Sequence, residues 1–358
     1  MSKCGPILVL LIWSLSTSAG AQHQQSLQKS MSAAPSVSVQ QLVVVDRIPT
    51  KLEQDILFAS AHCDEDGNSY VRYYALGAGL HNAGKILKLS PRGEPLVTFA
   101  DQIVDYSPIS FFVAHDGSVF DLAAANPKPS EKKTETVETV LLVYDKDHGN
   151  LKKTVKLEPR ISPFGAMAVF PSGEILISAL EPQGSGPDTP FTALLDDSGK
   201  LIRRILPEYD STIAAAYEKH DQKSKRTSES VFGTVSQGTI VIGSDGNAYL
   251  LRKTSPAVVY VISRYGEVVR TLTASPEDPT LSPLSMLESN GELAILFSKP
   301  GKVTEREIKV LSARSGDVLQ TVKLRSPFGS SMTCFVPPRF TFVRVEEEKF
   351  VLYIGEPH

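Results

Sequence analysis

Short apolar and β-branched runs of the length expected for strands recur along most of the chain, and tight glycine-bearing turns separate them. Gly67, Gly117, Gly173, Gly246 and Gly291 mark one kind of turn. Gly93, Gly149, Gly199, Gly266 and Gly316 mark a second kind, alternating with the first at a spacing of about 20–30 residues. The stretch 165–206 shows the unit most plainly. Gly165–Phe170 is an apolar run, Pro171-Ser172-Gly173 a turn, and Glu174–Leu180 a second run. A loop, Glu181–Pro190, leads to Phe191–Leu195, the turn Asp196-Asp197-Ser198-Gly199, and a fourth run, Lys200–Leu206. Asp, Ser and Gly at these turns predict an antiparallel meander of four strands, A to D.

The same order fits Asp55–Ala100, Ser110–Leu157, Thr239–Thr273 and Ser285–Leu324. The C-terminal stretch offers three strands, Ser331–Val336, Phe340–Val345 and Phe350–Gly355, while Gln41–Ile48 (QLVVVDRI) stands alone near the other end. Pairing that strand with the last three completes a sixth unit and removes the free sheet edges. A repeat of about 40–50 residues with four strands per unit is the mark of propeller blades. The expected fold is therefore all-β, a six-bladed β-propeller of four-stranded antiparallel blades, closed by an N-terminal strand completing the last blade.

A second motif recurs before the innermost strands: Ser107-Pro108-Ile109-Ser110, Ser162-Pro163-Phe164-Gly165, Ser282-Pro283-Leu284-Ser285 and Ser326-Pro327-Phe328-Gly329. Its reading is a D-to-A connection in which Pro fixes a sharp entry and the next apolar residue wedges between blades. Ahead of the repeats, Lys3, the apolar run Ile7–Leu15 and Ala19-Gly20-Ala21 have the order of a secretory signal. Residues 1–21 are expected to be removed, 22–38 to form a disordered Gln- and Ser-rich spacer, and 39–358 to form the propeller. No later run is long enough for a membrane-spanning helix, which leaves a secreted or periplasmic protein without a membrane span.

With its blades of apolar strand, (P/D)-(S/D)-G, apolar strand, variable loop, apolar strand, (D/S)-x-x-G-(K/E), apolar strand, the chain resembles secreted bacterial six-bladed propellers of the NHL or TolB-like kind over residues 40–358. The resemblance implies a binding scaffold, an interaction platform or, in some branches, a lactonase or related hydrolase, and fold alone does not choose among these.

A hydrophobic content of 41 % and a formal net charge of −3 suit one large domain and point to neither nucleic acid nor an anionic membrane surface. The basic run Lys219–Arg226 is interrupted by Asp221 and reads as a solvated face. The inner strands DILFASAH, ISFFVAH, GAMAVF, TIVIGS, LSMLE and SSMTCF are almost entirely apolar or small. Propeller lactonases hold a central metal ion with Glu, Asn and Asp side chains on these strands, and such an inward set is missing here. Asp55 and Glu288 are the inner-strand acids, each at a strand end facing solvent. The histidines show no metal-ligand spacing, although His62 and His115 fall at matching places before Asp-bearing turns. Asp64-Glu65-Asp66-Gly67-Asn68 reads as a turn rather than a calcium loop. No catalytic residue, metal ligand or cofactor is assigned.

Cys63 and Cys334 share a register on the first and last inner strands. They form either a disulfide stapling the closure or two buried thiols. Candidate ligand-binding residues are His81 and Asn82 in the glycine-rich loop Leu76–Lys85, together with Arg252 and Lys299 at the ends of B strands. Further loops are Asn126–Thr139 and the insertion Pro207–Gln237, within which Thr212–Lys223 reads as a short helix. The leading expectation is a non-catalytic extracytoplasmic propeller recognising a protein, peptide or glycan through its upper-face loops. The alternative is a metal-dependent lactonase- or esterase-like hydrolase at the central channel, and a third reading is an accessory subunit of an envelope assembly.

Overall fold

Short apolar runs bury side chains on both faces when they pair as strands of sheets packed between neighbours, and every regular element described in the computed structural model is a strand. The structure describes residues 39–50, 56–75, 84–99, 106–125, 138–159, 161–181, 189–205, 239–299, 302–325, 327–328, 331–346 and 349–358. The expected signal sequence, the spacer, the loop bearing His81 and Asn82, and the helix expected at Thr212–Lys223 lie outside these residues.

An opening strand, β1 (Val39–Pro49), is followed by a sheet of β2 (Ile56–Cys63), β3 (Ser69–Ala75), β4 (Lys85–Leu89) and β5 (Pro95–Phe99). The second sheet holds β6 (Tyr106–Val113), β7 (Val119–Ala125), β8 (Thr139–Tyr144) and β9 (Leu151–Lys156). The third holds β10 (Ser162–Val169), β11 (Ile175–Glu181), β12 (Thr189–Leu195) and β13 (Leu201–Ile205). The fourth holds β14 (Ile240–Ile242), β15 (Ala248–Arg252), β16 (Ala257–Ile262) and β17 (Val268–Ala274). Each is an antiparallel meander in chain order.

The remaining strands are β18 (Ser282–Ser289), β19 (Glu292–Lys299), β20 (Lys302–Ser312), β21 (Val318–Leu324), β22 (Ser331–Val336), β23 (Arg339–Glu346) and β24 (Lys349–Pro357). Here the structure departs from six separate sheets. These strands form one eight-stranded sheet in the order β18-β19-β20-β21-β1-β24-β23-β22. The cause is β1, which is longer than Gln41–Ile48 at both ends. Val39–Gln41 pair parallel with Thr321–Lys323 of β21, and Leu42–Pro49 then pair antiparallel with β24, with a bulge between Val44 and Asp46.

The first strands of the meanders touch in cyclic order: β2 packs on β6, β6 on β10, β10 on β14, β14 on β18, β18 on β22, and β22 on β2. Between neighbouring sheets lie the apolar clusters. The largest joins Phe112, Leu122 and Leu141 of the second sheet to Leu176, Phe191 and Leu194 of the third and Leu250 and Tyr260 of the fourth.

The Ser-Pro motifs also differ from expectation. Three of them are not connections but the opening residues of β6, β10 and β18, where the register shifts between Pro108 and Ser110, Pro163 and Met167, and Pro283 and Ser285. Proline has no N–H to give a ladder, so it sits where a strand begins and bulges. The wedge reading holds for Phe328, which is buried against Phe342 and Tyr353, whereas Ile109 and Leu284 are each 37 % exposed.

All ten turn glycines have positive φ, between 73° and 104°. Those between the third and fourth strands also dock on the sheet before them. A Cβ on Gly149 would stand 2.2 Å from the carbonyl oxygen of Thr98, and one on Gly199 would stand 2.3 Å from that of Lys156. Gly93 meets Ile48 of β1 in the same way, which gives β1 the place of an outermost strand. Gly199→Ala therefore combines left-handed strain with a backbone clash and should cost about 2–4 kcal/mol. Gly246→Ala, where φ is 77° but no atom lies within 4 Å, should cost only about 1 kcal/mol. Urea denaturation of the two variants tests this ordering, and equal losses would contradict the docking role.

Candidate functional site

The inner strands end together, and the turns that follow them enclose a cavity of about 390 Å³. His62 and Cys63 come from β2, Phe112, Val113 and His115 from β6 and its turn, and Pro171 from the turn after β10. Ile240–Ser244 come from β14 and its turn, Leu287–Asn290 from β18 and its turn, and Phe335 and Val336 from β22. All six first strands or the turns after them thus reach one mouth of the channel.

Its polar side chains are held by the fold. Asp64 is buried, with Oδ1 accepting from the Asn68 backbone N–H at 2.9 Å and Oδ2 from the Tyr70 hydroxyl at 2.9 Å. Lys88 Nζ lies 3.2 Å from the same Oδ2. An equivalent strut stands in the fourth sheet, where the Tyr249 hydroxyl donates to Asp245 Oδ2 at 2.9 Å. Burial and the Asp245 carboxylate push the Tyr249 hydroxyl up to about 12, and burial with Asp64 likewise raises that of Tyr70.

Glu288 corrects the reading of a solvent-facing acid. It is half-buried, its Oε1 accepts from the Ser244 hydroxyl and the Gly291 N–H, both at 2.9 Å, and its Oε2 is buried without a hydrogen-bond partner. His115 Nε2 lies 2.7 Å from the Ile242 carbonyl oxygen, to which it donates across the channel from β6 to β14. His62 sits edge-on to Phe111 with ring centroids 4.6 Å apart.

Behind His62 lies a buried ion pair between the first two sheets. Arg72 Nη2 stands 2.6 Å from Asp121 Oδ1, both side chains almost wholly buried, and the guanidinium carbon is 5.1 Å from the Phe111 ring centroid. Burial raises the Asp121 carboxyl against the opposing pull of Arg72. Cys63 and Cys334 are joined as a disulfide, with Cα atoms 5.3 Å apart, so the inner strands approach within the reach of that bond. Among the described residues no group of three His, Cys, Asp or Glu side chains is placed to hold a metal ion.

The other sequence candidates fall elsewhere. Arg252 is 3 % exposed at the end of β15, a buried position in place of the expected open one. Lys299 ends β19 in a different sheet, half-buried, with Nζ 3.4 Å from Glu305. Neither lines the cavity. Asp64 and Glu288 were the residues sequence reasoning passed over. Asp64 was visible as the first residue of the turn Asp64-Glu65-Asp66-Gly67, but the Asp next to the turn glycine, as in Asp245-Gly246, is Asp66. Glu288 stood out as an inner-strand acid, but nothing in the sequence marked its enclosure, because its partners come from Ser244 and the Gly291 backbone.

Meandering sheets whose first strands touch in a cycle around a central cavity define a β-propeller-like all-β fold. No protein-family model matches the chain, and no curated protein matches it. Among solved structures it is similar to a protein of unknown function from Dyadobacter fermentans, with a TM-score of 0.53 at 12 % identity, covering 88 % of this chain and 99 % of that one. A protein of unknown function from Bacteroides caccae gives a TM-score of 0.45 at 11 % identity over 76 % of this chain and 83 % of that one. A luciferin-regenerating enzyme gives 0.48 at 12 % identity over 88 % and 95 %. At 12 % identity the likeness to the Dyadobacter fermentans protein is one of fold.

Burial, reinforced by the Arg72 charge, holds the His62 imidazole down to about 4. Above pH 6.5 the ring is neutral in both states. Between pH 6.5 and about 4 the unfolded chain takes up a proton that the folded one refuses, so stability falls as pH falls. The loss should reach about 2–3 kcal/mol at most, because the ring keeps some access through the cavity. His62→Gln should flatten the urea stability profile across that window, and an unchanged pH slope would show that His62 does not titrate as described.

Proposed function

We propose that this protein is a non-catalytic extracytoplasmic recognition module: a six-bladed propeller in which β18–β21 and β22–β24 with β1 form two blades fused across β1. The cycle of six first strands supports this count. The binding surface is the channel mouth bounded by Glu65, His115, Ser244, Glu288, Ser289 and Asn290, and the partner is a protein, peptide or glycan.

The observation that carries this reading is the state of the polar groups at that mouth. Asp64 is tied to Asn68, Tyr70 and Lys88, Glu288 to Ser244 and Gly291, and His115 to Ile242. A catalytic acid or base needs a lone pair or proton aimed at the substrate. A rim of groups held in place by the fold around a concave opening suits recognition, since little is left to order when a partner arrives, and Glu288 Oε2, buried without a hydrogen-bond partner, is an acceptor left for a donor of that partner. The N-terminal pattern and the Cys63–Cys334 bond support an oxidising compartment outside the cytoplasm.

Capture of partners from the native envelope fraction, with peptide and glycan arrays alongside, tests the proposal. Glu65→Arg and Ser289→Arg at the rim should each abolish capture while leaving the thermal midpoint within about 2 °C. Capture that survives both substitutions would displace the site from the mouth. One equivalent of tightly held divalent metal together with ester or lactone hydrolysis would replace recognition with hydrolase chemistry.

A further inference from the structure

A second cavity, of about 620 Å³, opens beside the channel mouth between the second and third sheets. One wall is Phe112, Phe120, Leu141, Val143 and Val155, and the facing wall is Val169, Phe170 and Ile175. Most of this lining belongs to the largest apolar cluster among the described residues. Protein interiors are packed to the density of organic crystals, so an apolar gap of this size between two otherwise interlocked sheets is unlike ordinary core. Its volume falls in the range of small-molecule pockets, about 300–1,000 Å³, and its mostly apolar lining with a few polar groups at one end matches their chemistry.

The rim gives the ligand its charge. Glu65, Asp116 and Asp197 stand at the opening, with Lys153 as the one cationic side chain among the residues that line it. The Lys153 ammonium donates to the Asp197 backbone carbonyl at 3.0 Å, and the Asp197 carboxylate has no partner among the described residues. The Asp116 carboxylate accepts from the Ser118 N–H and hydroxyl. His115 Nε2 is turned to the Ile242 carbonyl, and three carboxylates against one ammonium leave the rim net negative. We infer that the cleft between the second and third sheets binds a small apolar molecule carrying a single cationic group, its hydrocarbon body between Phe112 and Ile175 and its cation at Asp116 and Asp197. The inference does not rest on the macromolecular partner proposed for the mouth, although Glu65 and His115 border both openings.

Isothermal titration calorimetry of the intact protein with three naphthalene probes of matched shape tests it: 2-(1-naphthyl)ethylammonium, 1-propylnaphthalene and 3-(1-naphthyl)propionate. The ammonium should bind one per chain with a negative heat-capacity change, the mark of apolar burial, and the carboxylate at least tenfold more weakly. Val143→Phe, which fills the cleft, should remove binding of both the ammonium and the neutral probe. Asp197→Asn, on an exposed turn where folding is not at stake, should weaken the ammonium about threefold to tenfold and leave the neutral probe unchanged. Absence of binding by all three probes would overturn the inference. So would equal affinity for ammonium and carboxylate, or ammonium binding indifferent to both Val143→Phe and Asp197→Asn.

Discussion

The structure depends on closure. Each sheet has apolar side chains on both faces and lies between two neighbours, so no sheet is properly buried until the last meets the first. Two devices bring that about at one seam. β1, from the beginning of the described chain, pairs along its length with β24, and its first residues add to β21. On the inner side the Cys63–Cys334 bond ties β2 to β22 across a sequence separation of 271 residues. A covalent link over so long a loop removes a large share of the unfolded chain's entropy, worth about 5–6 kcal/mol in the chain-entropy account. The same seam sets the geometry of the channel mouth, because Cys63 and Phe335 belong to its wall.

Within that closed frame the charged groups act as fasteners. Arg72 and Asp121 join the first sheet to the second deep in the interior, and removing one partner would leave a buried charge, a change that typically costs about 3–5 kcal/mol. Tyr70 and Tyr249 each stand three residues after a turn glycine and brace an Asp of that turn, Asp64 and Asp245, from different turn positions. Rigidity at the mouth follows from these struts, and it suits the recognition role proposed for that surface. The neighbouring cleft is the opposite case, a place where two sheets leave room.

Much of the architecture was legible because turn chemistry is local. Asp196-Asp197-Ser198-Gly199 and Pro171-Ser172-Gly173 announce their conformations through residues a few positions apart, and Gly173 and Gly199 have the positive φ that such turns demand. The fusion of two meanders through β1 was not legible. Pairing between Val39 and Thr321 is a long-range contact with no sequence signal of its own. The bulged Ser-Pro openings of β6, β10 and β18 were recognised as a motif but misplaced as connections, since proline marks an irregularity without saying on which side of a strand boundary it falls. The site was less legible still. Arg252 looked available as a cation on a strand end, yet the fourth sheet buries it, whereas Glu288 looked solvent-facing and the turns of two neighbouring sheets enclose it.

Native-state hydrogen exchange of the β1 amides tests the dependence on closure most directly. If β1 completes a ring that opens only as a whole, the hydrogen-bonded amides between Leu42 and Ile48 should exchange through global unfolding, with the same denaturant dependence as those of β15 and β16 in the fourth sheet. Rapid exchange of β1 with β15 and β16 still protected would show that the seam is a loose appendage and that the other sheets stand without it.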